Sequence, residues 1–344
     1  MRRRRLLEIA TAGAAATLAG CTTPGDESPA AAPRTGPPSS AAPSGPALPS
    51  IVPTSKRPTT GPIAQRVRFG AWARQGHGLV DDHVRLEGLL YTRLPVFSWF
   101  QSFGAWDTGT ADRIAAIRPD QPYDSMLCWE AFGVPFENIN RGLLDRYFSD
   151  YFVAAKRYPG RVIIRLFHES NGNWYPWAAA SRNATVNGPN DWKRAWRRIV
   201  GMARRVQAGN VFFMFCPNHI DIGKYRAEDY WPGREWVDVI GVDGYNQEWT
   251  ARGKPRHAAE QIIAPMYHRL TKLHPTAEFM VGEIGCAPHK NKAFWHEALY
   301  ESTRFPRLTQ IAFFHESKGE NWRLDSDPDT LRINRQYLAP QALE

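Results

Sequence analysis

The chain has 344 residues, 43% hydrophobic side chains, thirteen Trp and a formal net charge of +9. That is enough apolar material for a large core. Residues 1–63 hold seven Lys/Arg against three acids, a surplus of four, which leaves five charges for everything after them. Those five are scattered, with no Lys/Arg block that could track a phosphate backbone, so no nucleic-acid partner is expected.

The chain opens with Arg2 to Arg5 and a short apolar stretch from Ile9 to Leu18. The stretch is too short to span a bilayer as a mature helix and reads as a signal peptide over residues 1–21. It ends in Leu18-Ala19-Gly20-Cys21, which resembles the bacterial lipobox, whose cysteine is lipidated after cleavage. The arginine run before Leu6 and Leu7 also resembles a twin-arginine signal without its preceding polar residue. Residues 22–63 are dominated by Pro, Ala, Ser, Thr and Gly, which bury too little apolar surface to offset chain entropy. A disordered tether is expected there, holding the domain clear of the membrane at the extracellular face of a bacterial cell.

Regular patterning follows over 64–340. Short apolar runs recur at Val67–Trp72, Leu94–Phe100, Tyr123–Phe132, Val162–His168, Val211–Cys216, Val237–Tyr245, Glu278–Ile284 and Leu308–His315. Between them lie segments with helical spacing, among them Leu143–Tyr158, Trp192–Val206, His257–Leu273 and Ala293–Thr303. Strands alternating with helices imply a parallel α/β sheet, and eight such units imply closure into a (β/α)8 TIM barrel. An open doubly wound sheet would want a glycine-rich phosphate loop after an early strand, and neither GxGxxG nor GxxxxGK occurs. Trp192 and Trp196, four apart on a helix, read as barrel-packing residues. Cys128, Cys216 and Cys286 are odd in number and lack CxxC spacing, so each reads as a small buried hydrophobe near a strand end, with at most one pair able to bridge.

In a TIM barrel the reactive groups sit at the C-terminal ends of strands. The polar clusters fall there: His168-Glu169-Ser170-Asn171, Pro217-Asn218, Asp243-Gly244-Tyr245-Asn246, Gly282-Glu283 and His315-Glu316. Strand alternation would put Arg165, Phe167 and Glu169 on one face, with Glu169 at the rim. Glycoside cleavage needs two carboxyl groups about one bond, one to protonate the leaving oxygen and one to attack the sugar or activate water. Glu169 and Glu283 meet that need, and Gly282 permits close backbone approach beside the second. Neither HxH nor HExxH occurs, so no metal and no other cofactor is expected.

The run Arg165 to Trp177 (RLFHESNGNWYPW) resembles the acid/base motif of glycoside hydrolase family 26, best known for endo-β-1,4-mannanases on a retaining TIM barrel. Further similar segments follow in the family's order: Phe215-Cys216-Pro217-Asn218, Trp231-Pro232-Gly233, Val237 to Asn246, Val281 to Gly285, and Lys318 with Asn321 to Asp325. The resemblance implies Glu169 as acid/base, Glu283 as nucleophile, His168 as its polar neighbour, Trp174 near the cleaved sugar and Tyr245 as a hydrogen-bond donor to the nucleophile. Asn218, Trp177 and Trp322 join them as expected substrate contacts, with Trp174 and Trp177 as stacking platforms after a Gly-Asn turn. The departures are Cys216 where Ser is commoner, the Phe313-Phe314-His315 strand end, and Ala131 in a Trp-Glu-Pro-like segment at Trp129-Glu130. The expected protein is thus a monomeric, lipid-anchored β-mannanase acting on polysaccharide. A β-1,3-1,4-glucanase, a xylanase or an inactive carbohydrate-binding lipoprotein are the alternatives; the last would have no use for a nucleophile.

Overall fold

The computed structural model describes residues 60–247 and 258–339. The leader with Cys21, and nearly all of the tether expected over 22–63, lie outside the described residues. Eight strands, β1 (Arg68–Ala73), β2 (Val96–Ser102), β3 (Asp124–Glu130), β4 (Val162–Leu166), β5 (Val211–Phe215), β6 (Val239–Asn246), β7 (Glu278–Cys286) and β8 (Leu308–His315), pair in parallel. Each joins the next and β8 returns to β1, closing the barrel. Around it run α1 (Ile63–Arg66), α2 (Leu79–Leu90), α3 (Thr108–Ile117), α4 (Phe136–Asn140), α5 (Asp145–Ala155), α6 (Pro189–Arg205), α7 (Ala259–Leu273), α8 (Lys292–Glu301) and α9 (Pro328–Leu338). The expected (β/α)8 TIM barrel is what forms.

The strands are near-continuous apolar runs because both faces are covered. Val96, Met126, Ile163, Met214, Val239, Met280 and Ala312, one from each of β2 to β8, form a cluster of their own inside the barrel. The alternate residues face the helices. Trp192 and Trp196 on α6 are fully buried and stacked, ring centroids 5.1 Å apart, against Phe215 of β5. Helix ends carry local signals: Asp107 caps α3 and Asp327 caps α9, each accepting from a backbone N–H three residues on. Pro189 and Pro328 occupy first turns, where no N–H is missed. Cys128, Cys216 and Cys286 are buried, and among the described residues none of them forms a disulfide. Among the described residues no helix is long and apolar enough to cross a membrane.

Candidate active site

β4 stops at Leu166, two residues sooner than its apolar run suggests. Phe167 and Glu169 then take positive φ, 50° and 53°, a left-handed conformation costing a non-glycine residue about 1–3 kcal/mol. This corrects the expectation that Arg165, Phe167 and Glu169 share a face. Two left-handed residues break the strand alternation, and Phe167 turns outward among Phe103, Phe136 and Trp192. The turn is held by Ser170 Oγ donating to the Phe167 carbonyl at 2.5 Å and by Glu169 N donating to the Cys216 carbonyl at 2.9 Å.

So placed, the Glu169 carboxylate accepts from Asn218 Nδ2 and from Trp174 Nε1, both at 2.7 Å. Asn171, which sequence reasoning left without a role, fixes Asn218 by accepting from its backbone N–H at 2.8 Å and donating to its carbonyl at 3.0 Å. Burial lifts the Glu169 carboxyl to about 7; the charge of Glu283 adds to the lift and the two hydrogen bonds oppose it.

Glu283 reaches the mouth by a different device. The β6–β7 register shifts so that Val242 pairs with Val281 while Asp243 pairs with Glu283, leaving Gly282 as the extra residue of a bulge. A Cβ on Gly282 would stand 2.5 Å from Arg165 Nε and 2.6 Å from an Asp243 carboxylate oxygen. Arg165, fully buried, donates through Nη2 to Asp243 and, at 2.5 Å, to Glu283 Oε1. Tyr245 donates its phenol proton to Glu283 Oε2. Burial first, and then the Glu283 charge, push the Tyr245 phenol well up, so it stays a donor.

His168 is buried beside these groups. Its Nδ1 lies 2.9 Å from Cys128 Sγ, and its Nε2 has no protein partner. Burial, then Arg165, hold the ring well below its ordinary value, so it is neutral, while burial keeps the Cys128 thiol protonated. A neutral imidazole has one N–H: where the thiol donates to Nδ1, that proton resides on Nε2 and can meet a ligand.

Trp177 requires a correction. It is 0% exposed, stacked on Tyr175 at 4.4 Å, with its Nε1 donating to the His168 carbonyl at 2.7 Å. It supports His168 and offers no open face to a sugar. Trp322, 6% exposed, likewise stands behind Tyr245, 4.9 Å between centroids, and spends its N–H on the Lys318 carbonyl. Trp174, which bonds Glu169, and its neighbour Tyr175 are half-buried rather than enclosed. Tyr175 went unrecognised, although it lies inside the motif. Among the described residues two groups bring metal-ligand atoms within 4.8 Å of one another, Cys128/Glu130/His168 and His168/Asp243/Glu283. In the second, the Arg165 guanidinium already bonds both carboxylates.

The model for Glycosyl hydrolase family 26 matches residues 149–288, from α5 through β7 and spanning both glutamates. The part of the chain from α5 through β7 is similar to glycosyl hydrolase family 26. Endoglucanase H of Acetivibrio thermocellus is 31% identical over 290 residues, 79% of this chain and 30% of that protein. A mannan endo-1,4-beta-mannosidase of Bifidobacterium adolescentis is 34% identical over 104 residues, 28% of this chain and 10% of that protein. The chain therefore spans under a third of the length of either relative. Among solved structures, the catalytic domain of a Bacillus sp. JAMB-750 family 26 endo-beta-1,4-mannanase covers 82% of this chain and 90% of its own, at TM-score 0.58 and 14% identity. A family 26 beta-mannanase of Bacteroides ovatus gives 81%, 90%, 0.55 and 15%. At these identities the likeness is one of fold.

Proposed function

We propose that this barrel is a member of glycosyl hydrolase family 26 and a retaining endo-acting β-glycanase, with β-1,4-mannan as its leading substrate. The observation that carries the reading is the unequal treatment of two carboxyl groups at one barrel mouth. Glu169 is buried with neutral donors and titrates near 7, so it can give a proton to a leaving oxygen and later take one from water. Glu283 is held by a permanent cation and a phenol, donors that fix it in place for the role of nucleophile. His168 Nε2 and Trp174 complete a surface toward the sugar. A pure binding protein would have no use for a buried Arg165 aimed at a carboxylate, since charges are costly to bury.

A β-glucan backbone is the second reading, favoured by the match to Endoglucanase H over 79% of the chain. That name belongs to a protein of which the match covers 30%, whereas mannanase names recur among the shorter matches and solved folds. Reducing-sugar release from mannan, lichenan and xylan in parallel decides between them. Mannan alone or foremost is expected; lichenan foremost transfers the assignment to glucan, and release from none sinks both. We further propose that the chain is a monomeric lipoprotein held by Cys21 at the outer face of the cell membrane, a reading supported by the lipobox-like sequence.

A further inference from the structure

Lys292 opens α8, and its side chain is fully buried. Both placements cost stability: the macrodipole repels a cation in the first turn of a helix, and an ammonium is seldom enclosed. Burial draws it down to about 8, with Asp327 and Asp325 among the groups opposing. What it reaches is backbone. Its Nζ donates to the Asn321 and Arg323 carbonyls, both at 2.9 Å, on either side of Trp322. Two more buried side chains hold the next residue of that segment. His315 Nδ1 accepts from the Leu324 N–H at 3.0 Å, and Asn334 Nδ2 of α9 donates to the Leu324 carbonyl at 2.7 Å.

The segment carries Trp322 against Tyr245 of β6. The fit is close: a Cβ on Gly285 of β7 would stand 3.0 Å from the Trp322 ring and 3.2 Å from the Tyr245 ring. Phe314 of β8 meets Tyr245 edge-on at 5.7 Å. Tyr245 thus has its ring packed by Trp322 and Phe314 while its hydroxyl donates to Glu283.

Resting on the proposed glycanase reading, we infer that Lys292 is a positioning residue for the nucleophile. It pins the segment after β8, which keeps Trp322 behind Tyr245 and so holds the Tyr245 hydroxyl on Glu283. An ammonium suits the task because it donates to more than one carbonyl at once, through charge-assisted bonds roughly twice as strong as neutral ones.

The test is a double-mutant cycle on the full chain, Lys292→Met against Tyr245→Phe, read on whichever of mannan, lichenan and xylan the wild type cleaves best. Lys292→Met should cost about tenfold in kcat, as displacement of a catalytic group predicts, with KM within about twofold. In the Tyr245→Phe background, where the phenol proton is already gone, the same change should cost about twofold or less. An equal loss in both backgrounds, which a merely structural role would give, overturns the inference, as does an unchanged kcat. Should Lys292→Met fail to fold, Lys292→Gln, which keeps an NH2 donor on a shorter stem, takes its place under the same criteria. If the wild type cleaves none of the three polysaccharides, the glycanase reading fails. The strut then stands or falls by hydrogen exchange at matched pH. Faster exchange in the Lys292 variant, confined to residues 316–325 and 243–246, supports it. Equal exchange, or faster exchange throughout the barrel, overturns it.

Discussion

At the scale of single residues, the division of labour between Glu169 and Glu283 rests on what each touches. As the proposed acid/base, Glu169 has to be protonated when the glycosidic bond breaks. Its carboxyl, lifted from 4.5 to about 7, is neutral below that range and ionises above it. Activity on polysaccharide should therefore fall as pH rises through about 7. Glu169→Ala should keep measurable turnover on a dinitrophenyl glycoside, whose leaving group needs no proton, and that turnover should lose the alkaline fall. Azide should accelerate it by attacking the glycosyl-enzyme without a general base. Glu283→Ala should be inactive on every substrate. Initial rates against pH, with and without azide, check this. Equal inactivity of both variants on the activated substrate would show that the wrong residues carry the roles. Glu130 titrates in the same range, so an alkaline fall that survives in Glu169→Ala and vanishes in Glu130→Gln would reassign the limb. His168 and Asn218 were legible as members of a polar cluster. Their partners were not: the Cys128 contact and the Asn171 brace join residues far apart in sequence.

At the scale of elements, the eight strands were readable because β-branched and aromatic residues concentrate in short runs between polar helices. The ends of those strands were less so. Nothing in Phe167 or Glu169 announces a left-handed backbone, since neither is Gly or Asn, and the conformation is imposed by the bonds around it. Trp177 was misread because the sequence does not show that Phe132 and Tyr175 would pack over it. At β7 the bulge does have a signal, in Gly282. A methyl group there meets a buried guanidinium and a carboxylate that cannot retreat, because Arg165 bonds Asp243 and Glu283 together. Gly282→Ala should thus fold with a loss of about 1–3 kcal/mol. It should lose at least about a hundredfold in kcat, as displacement of a catalytic group predicts. Denaturant unfolding and steady-state kinetics measure the two effects separately. A variant within a few-fold of wild-type kcat would mean that the Arg165 clamp does not set the position of Glu283.

At the scale of the whole molecule, the barrel is one part of the chain and the N-terminal segment another, joined by a Pro/Ala/Ser-rich stretch over 22–63. Among the described residues no helix is long and apolar enough to cross a bilayer. On the proposed lipoprotein reading, attachment rests on acyl chains at Cys21, which together bind far more firmly than a single chain can. Cys21→Ser should therefore move the protein from the membrane fraction to the soluble one, with specific activity on polysaccharide unchanged because the site lies wholly within the barrel. Fractionation of expressing cells followed by activity assay of each fraction measures both halves of the claim. Retention of the variant on membranes would sink the lipid anchor. Release with loss of activity would show that the segment before the barrel takes part in catalysis.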